Sequence, residues 1–292
     1  MKRKPDWDVE GAAWPNRTAS RFVEAAGLRW HVQVMGEGPP LLLLHGTGAA
    51  THSWRALAPL LARSYTIVAP DLPGHGFTSP PRQRSDMALP SVARSVGALA
   101  DALDIAPHAI VGHSAGAAIA VRMSLDGLAA PRAIVSINGA LLPFGGPLGR
   151  WAPDLARVLF ANPMTLSYFA HRAAQPGAIA RLMHGTGSTL DAEGLDYYER
   201  LFRTLGHLEG TVGLMAHWDL YALKRDLPNL RTRMTLIAAE RDRAVPVRAA
   251  RDVARMLPGA GVVLAPGLGH LAHEEAPDLI AGYVLDALRN QA

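Results

Sequence analysis

Ser114 is the residue around which a reaction could be built. It stands in Gly112-His113-Ser114-Ala115-Gly116, after a short apolar run (109–111) and before a run of small residues that permits a helix. The spacing Gly-x-Ser-x-Gly at a strand-to-helix turn lifts a hydroxyl above a sheet edge, and a Cβ at either glycine would collide with the turn. The helix that follows would aim its first N–H groups at the place where negative charge develops. A serine hydroxyl is a poor nucleophile near neutral pH. It needs a base within reach, and the base needs an acid to hold its tautomer. His270, at the end of Pro266-Gly267-Leu268-Gly269-His270, is the expected base, with His273 as its nearest rival. Asp242, in Glu240-Arg241-Asp242-Arg243-Ala244-Val245-Pro246, is the expected acid, with Glu240 as rival. The pentapeptide alone says little in a chain with 28 glycines. The arrival of serine, acid and histidine in that order, each just past a strand-like run, says more. The chemistry indicated is acyl transfer. The backbone N–H groups of Thr47 and Ala115 are the expected oxyanion donors, with Gly46 and Gly48 permitting close approach. His45, His75 and His113 are expected to order loops.

These residues need a sheet to hold them. Residues 21–35 alternate in places and read as a hairpin of two antiparallel strands. Residues 41–44 are continuously apolar, as a strand buried on both faces is, 65–69 read as another buried strand, and the run into Ser114, 133–137, 234–238 and 262–265 read as further short strands. Helical spacing appears between them at 54–63, 92–103, 247–257 and 276–288. Strand alternating with helix predicts a mostly parallel sheet covered on both faces. Active residues in such sheets collect beyond the carboxyl ends of the strands. The rhythm breaks between 141 and 223, where strand-like runs vanish and Leu, Phe, Met and Tyr alternate with Pro-Gly breaks. The expected organisation is a core of residues 1–140 and 224–292 with a helical cap, 141–223, inserted between.

The 292 residues are 49% hydrophobic and 18% charged, enough apolar content for a large buried core. There is no cysteine, so disulfides and thiolate chemistry are excluded. The net charge of +4 comes from scattered arginines, and no basic block is interleaved with aromatics, so nucleic-acid binding is not expected. No apolar run reaches the ~18 residues of a membrane span. The basic start, residues 1–8, has no apolar core behind it and is expected to be a loose N-terminus of a cytoplasmic protein.

Four motifs together, His45-Gly46-Thr47-Gly48, Asp71-Leu72-Pro73-Gly74-His75-Gly76, the serine turn, and Gly269-His270 before a terminal helix, resemble the α/β-hydrolase fold superfamily over essentially the whole chain. That resemblance implies an α/β fold with a mostly parallel eight-stranded sheet, helices on both faces and an inserted helical cap. It also implies the Ser114, Asp242, His270 order. Some members take the acid from the loop after the preceding strand, where this chain has Asn138, which cannot carry the charge. A narrower resemblance rests on Trp14-Pro15-Asn16-Arg17, on residues 43–54 and on residues 71–78. These are similar to α/β-hydrolases encoded among bacteriochlorophyll biosynthesis genes and described as magnesium-chelatase accessory proteins. It implies an apolar small-molecule substrate, a tetrapyrrole ester being the family-based choice, and an association with magnesium chelatase. Phe169, Met183, Met215 and Trp218 are candidates for an apolar pocket under the cap. No cofactor or resident metal ion is expected, and His171, His184, His207 and His217 read as surface or packed histidines before they read as ligands of a pigment's magnesium. Two alternatives stand beside the serine hydrolase: a non-catalytic magnesium-porphyrin binder, and a carboxylesterase or C–C hydrolase unrelated to pigment.

Overall fold

A computed structural model describes residues 5–143, 171–172 and 175–289. Eight strands form one sheet in the order β1-β2-β4-β3-β5-β6-β7-β8. They are β1 (Ser20–Ala25), β2 (Leu28–Met35), β3 (Pro40–Leu44), β4 (Thr66–Pro70), β5 (Ala109–His113), β6 (Ala133–Ile137), β7 (Arg233–Ala239) and β8 (Gly261–Ala265). The first hairpin turns at Ala26 and Gly27, both at positive φ, the handedness that matches strand twist. β1, β2 and β4 pair antiparallel, and every pairing from β4 through β3 to β8 is parallel. The parallel strands β3 to β7 are buried because helices cover both faces, α2 (Leu89–Ala102) and α3 (Ala115–Leu125) on one side and α1 (Leu57–Leu61) with the C-terminal helix on the other, whereas the edge strand β8 leaves Val262 and Leu264 exposed. α1 is shorter than the period at 54–63 suggested. Pro59 has no N–H to give and is tolerated only in a first turn, so the helix starts at Leu57, and Thr51–Trp54 is a separate 3-10 turn.

Between β6 and β7 the described residues hold no strand and include the α-helices α4 (Ala178–Gly185), α5 (Ala192–Phe202), α6 (Leu205–Ala216) and α7 (Leu220–Asp226), followed by a 3-10 turn (Leu227–Asn229). They form the inserted cap. After β7 come α8 (Val247–Met256), the short α9 (Ala272–Glu275) and α10 (Pro277–Arg289). Among the described residues no helix is long and apolar enough to cross a membrane.

The N-terminal segment is a correction to the expected loose start. Its two indoles, Trp7 and Trp14, are packed because they find aromatic partners, while Asp8 and Val9 between them stay exposed. Trp7 meets Phe22 and Phe77 edge-on with centroids 5.4 and 4.9 Å apart. Trp14 is buried, donates its indole N–H to Thr51 Oγ1 (2.9 Å), and packs against Phe77 and, in the cap, Tyr197. Asn16 Nδ2 donates to Arg55 O (3.1 Å). The three stretches of the narrower resemblance therefore meet in space, where core, N-terminus and cap join.

The same junction holds a buried ionic cluster. Glu274, on α9, accepts from Ser53 Oγ (2.7 Å), from Tyr198 Oη of α5 (2.7 Å) and from the Arg55 guanidinium. Burial pushes the Glu274 carboxyl above its usual range, and Arg55 and the two hydroxyls oppose that shift.

Candidate active site

The parallel registers bring the ends of β3, β5, β7 and β8 to one edge of the sheet, with Leu44 opposite Gly112 and Ala239 opposite Ala265. Ser114 follows β5 directly. Its backbone is strained, φ 50 and ψ −114, a combination non-glycine residues avoid and keep only when the surroundings impose it. The surroundings here are explicit. The Ser114 N–H donates to Ile137 O (3.0 Å), and its carbonyl accepts from Ala117 N (3.2 Å) and Ala140 N (3.0 Å). A Cβ at Gly116 would lie 1.9 Å from Leu44 O, and one at Gly112 would lie 2.4 Å from Ala117 N, so the turn can close only on glycines.

Asp242 lies three residues past β7. Its Oδ1 accepts from Ala244 N (2.8 Å) and Val245 N (2.7 Å), which leaves Oδ2 facing His270 Nδ1 at 2.7 Å. The Asp242 side chain is fully buried, and that of His270 is 11% exposed. Glu240 turns the other way and accepts from Gly267 N (2.9 Å) at the surface. The structure thus pairs His270 with Asp242 and not with Glu240. His273 is fully buried with Nε2 on Ser53 Oγ (2.8 Å). Burial, then repulsion from His270 and Arg55, lowers its pKa to about 3. Burial likewise holds His113 neutral, with His273 and His270 adding to the shift. Three imidazoles crowd together, His113 lying 4.4 Å from His273 and 4.8 Å from His270 between ring centroids, and His270 is the one whose nitrogen faces a carboxylate.

The Thr47 and Ala115 backbone N–H groups have no hydrogen-bond partner among the described residues. Thr47 follows Gly46, where a Cβ would come 3.1 Å from Ser114 Cβ, and Ala115 opens α3 directly after Ser114. The loop carrying Thr47 is stiffened from below by Asp71, which accepts from Thr51 N (2.7 Å) and Phe77 N (2.9 Å) and pairs with His31 Nδ1 (2.8 Å). Burial alone would raise the Asp71 pKa, but His31, then His45 and the Phe77 N–H, outweigh it and hold the carboxyl below its usual range.

Two residues have a larger part here than the sequence suggested. Asn138, at positive φ (49°), donates Nδ2 to Gly269 O (3.1 Å) and His270 O (2.9 Å) and accepts from Ala239 N (2.8 Å). His113 Nε2 donates to the same His270 carbonyl (2.9 Å). His270 is therefore gripped through its own backbone carbonyl from the ends of the two strands β5 and β6. Asn138-Gly139 at a strand end was the available signal, since Asn tolerates positive φ. Ser188, in the cap, donates nothing to the triad candidates but accepts Leu271 N (2.8 Å), fixing the turn after His270.

Of the cap candidates, Met183 is buried among Ile179, Tyr198, Phe202 and Leu271. Trp218 packs against the core beside α3. Met215 falls on the outer face of α6, 56% exposed, because the buried stripe of that helix runs through Leu208, Thr211, Val212 and Leu214. Phe169 lies outside the described residues. His184 and His171 are exposed, His217 bonds Gly213 O (2.9 Å), and both nitrogens of His207 are used on core backbone. Among the described residues no three side chains converge to hold a metal ion. An open groove of about 680 Å³ lies at the opposite end of the sheet, between Arg233, Val262 and Tyr283, and holds none of these residues.

The pattern of the alpha/beta hydrolase fold family matches residues 39–277. The chain is 41% identical over 279 residues to the magnesium-chelatase 30 kDa subunit of Rhodobacter capsulatus, covering 95% of this chain and 97% of that one. Among solved structures it is similar to an epoxide hydrolase (TM-score 0.78, 18% identity, 94% of this chain and 99% of that one). It is also similar to a serine hydrolase involved in carbazole degradation (TM-score 0.75, 20% identity, 93% and 98%). At those identities the two structures speak for the fold alone.

Proposed function

Because the chain belongs to the α/β-hydrolase fold family, we propose that it is a cofactor-independent serine hydrolase acting on an ester or ester-like bond of an apolar substrate. The observation that carries this is the buried Asp242–His270 pair at the sheet edge where Ser114 is held in its strained turn. A pure binding protein has no need of an oriented base at that place. In the proposed reaction Ser114 Oγ attacks the carbonyl carbon as its proton passes to His270 Nε2. The oxyanion is held by the Thr47 and Ala115 N–H groups. The intermediate collapses, the alcohol leaves with the proton from His270, and water hydrolyses the acyl-serine by the same steps in reverse. Asp242 keeps the Nδ1 proton in place and stabilises the imidazolium.

Identity to the chelatase subunit over nearly the full length supports a setting in bacteriochlorophyll synthesis, with a tetrapyrrole ester as substrate, magnesium chelatase as a partner and the cap, 141–223, setting substrate choice. That relative's name describes a subunit rather than a hydrolase, and this favours a second reading, a magnesium-porphyrin binder that assists the chelatase. A fluorophosphonate probe with peptide mapping separates the two. It is expected to label Ser114 and to leave Ser114→Ala unlabelled but folded. Labelling elsewhere would move the nucleophile, and no labelling would favour the binder. The pigment is tested apart from catalysis. Protoporphyrin is expected to quench tryptophan fluorescence saturably in Ser114→Ala, with roughly micromolar affinity from apolar burial at about 25 cal/mol per Å². Ready turnover of short esters without saturable quenching would leave a general carboxylesterase.

A further inference from the structure

His207, on cap helix α6, is 1% exposed and reaches into the core. Gly76 N–H donates to its Nδ1 (3.0 Å), so that nitrogen carries a lone pair. The proton is therefore on Nε2, which donates to Gly48 O (3.1 Å). Burial keeps the ring neutral, with a pKa lowered to about 4. The Gly48 carbonyl shares a peptide plane with Ala49 N–H, and Ala49 N–H donates to Gly46 O (3.1 Å). The Gly46 carbonyl in turn shares a peptide plane with Thr47 N–H, the unpartnered donor beside Ser114. One continuous chain thus runs from the cap imidazole through two peptide planes to the oxyanion position. His45 Nδ1 joins it at Gly46 O (2.8 Å). Peptide dipoles aligned in such a chain polarise one another, and each bond fixes the orientation of the next plane.

The cap is seated closely enough for this to matter. Gly210, one turn beyond His207, lies against the backbone of Gly74, where a Cβ would come 2.2 Å from the Gly74 carbonyl oxygen. A Cβ at Gly48 would come 3.1 Å from the Phe202 ring.

We infer that His207 is a positioning residue for the oxyanion hole: by fixing the Gly48 carbonyl it sets the direction of the Thr47 N–H, and so couples the seating of the cap to the reactivity of Ser114. This rests on the serine-hydrolase proposal. Two near-isosteric variants dissect it. His207→Asn keeps an acceptor for Gly76 N–H but has no donor that reaches Gly48. His207→Gln places an amide N–H where Nε2 was. With the fluorophosphonate probe, His207→Asn is expected to lower the maximal labelling rate about tenfold, less than the loss of a whole oxyanion donor, while half-saturation changes less than about twofold. His207→Gln is expected to recover most of that loss. Amide hydrogen exchange gives a readout that needs no reaction: Ala49 is expected to exchange faster in the Asn variant than in wild type or the Gln variant. Equal labelling by both variants, or equal losses that appear in half-saturation, would overturn the inference. If wild type is not labelled at all, the serine-hydrolase proposal fails instead. Unchanged exchange at Ala49 would then still remove His207 from the loop.

Discussion

Replacing Asp242 by asparagine is expected to lower the rate of Ser114 acylation by about 10⁴, whereas Glu240→Gln is expected to change it less than about threefold. The size of the first effect follows from how Asp242 is held. Its Oδ1 accepts two backbone N–H groups, from Ala244 and Val245. An asparagine in that cradle must place its carbonyl oxygen there, because its NH₂ would face two donors. The NH₂ is then forced into the Oδ2 position, 2.7 Å from His270 Nδ1, where it donates. His270 must answer with a lone pair on Nδ1, so its proton moves to Nε2 and it can no longer take one from Ser114. The fold should survive, since every bond to the backbone is kept. Glu240 touches only Gly267 N at the surface, and an amide there keeps an acceptor. Single-turnover labelling or ester hydrolysis by the two variants measures the contrast. Comparable losses in both would disconnect Asp242 from the reaction.

The sheet and the order of Ser114, Asp242 and His270 were legible because they rest on local signals: continuous apolar runs, breaker-dense turns, and polar residues just past strand ends. The choice of Asp242 over Glu240 was legible only as a preference. What turns the Asp242 carboxylate toward His270 is the turn at 242–245, whose N–H groups converge on its other oxygen, and this is a backbone property that residue types do not announce. Asn138 could be dismissed as an acid from its chemistry. Its grip on the His270 carbonyl depends on contacts 131 and 132 residues away in sequence and could not be read. The cap histidines show the same limit. His207 and His217 lie ten residues apart on or beside one helix, yet one enters the core and the other does not, and only the docking of α6 on the 71–78 loop separates them. The N-terminal Trp14 motif, which lies outside the general fold pattern, acquired a physical meaning only when its indole was found between the 51–54 turn and the cap.

That same junction carries the largest expected change in stability. Arg55→Met is expected to cost about 3–5 kcal/mol at pH 7, the range for breaking a buried pair by removing one partner. Arg55 bonds Glu274, whose side chain is fully buried, and its second contact, Asp191, is 64% exposed and worth little. Methionine keeps much of the apolar stem, so the loss is chiefly electrostatic. Burial already raises the Glu274 pKa above its ordinary 4.5, and Arg55 is the main force opposing it. Without Arg55 the folded-state value rises further. A carboxyl whose folded pKa exceeds its unfolded one contributes stability that is complete below the unfolded value and is lost as pH rises through the folded value. The deficit of Arg55→Met relative to wild type should therefore be small near pH 4.5 and grow as pH rises toward neutrality. Neighbouring His273 stays neutral over this window, its pKa lying near 3, so it does not reverse the sign. Adding Glu274→Gln should recover most of the loss, because the amide removes the buried charge and still accepts from Ser53 and Tyr198. Urea unfolding of the single and double variants at pH 5 and pH 7 measures both the size and the slope. A deficit that does not change with pH would mean that packing around Arg55, and not the Glu274 charge, holds the cap helix α5 to the core.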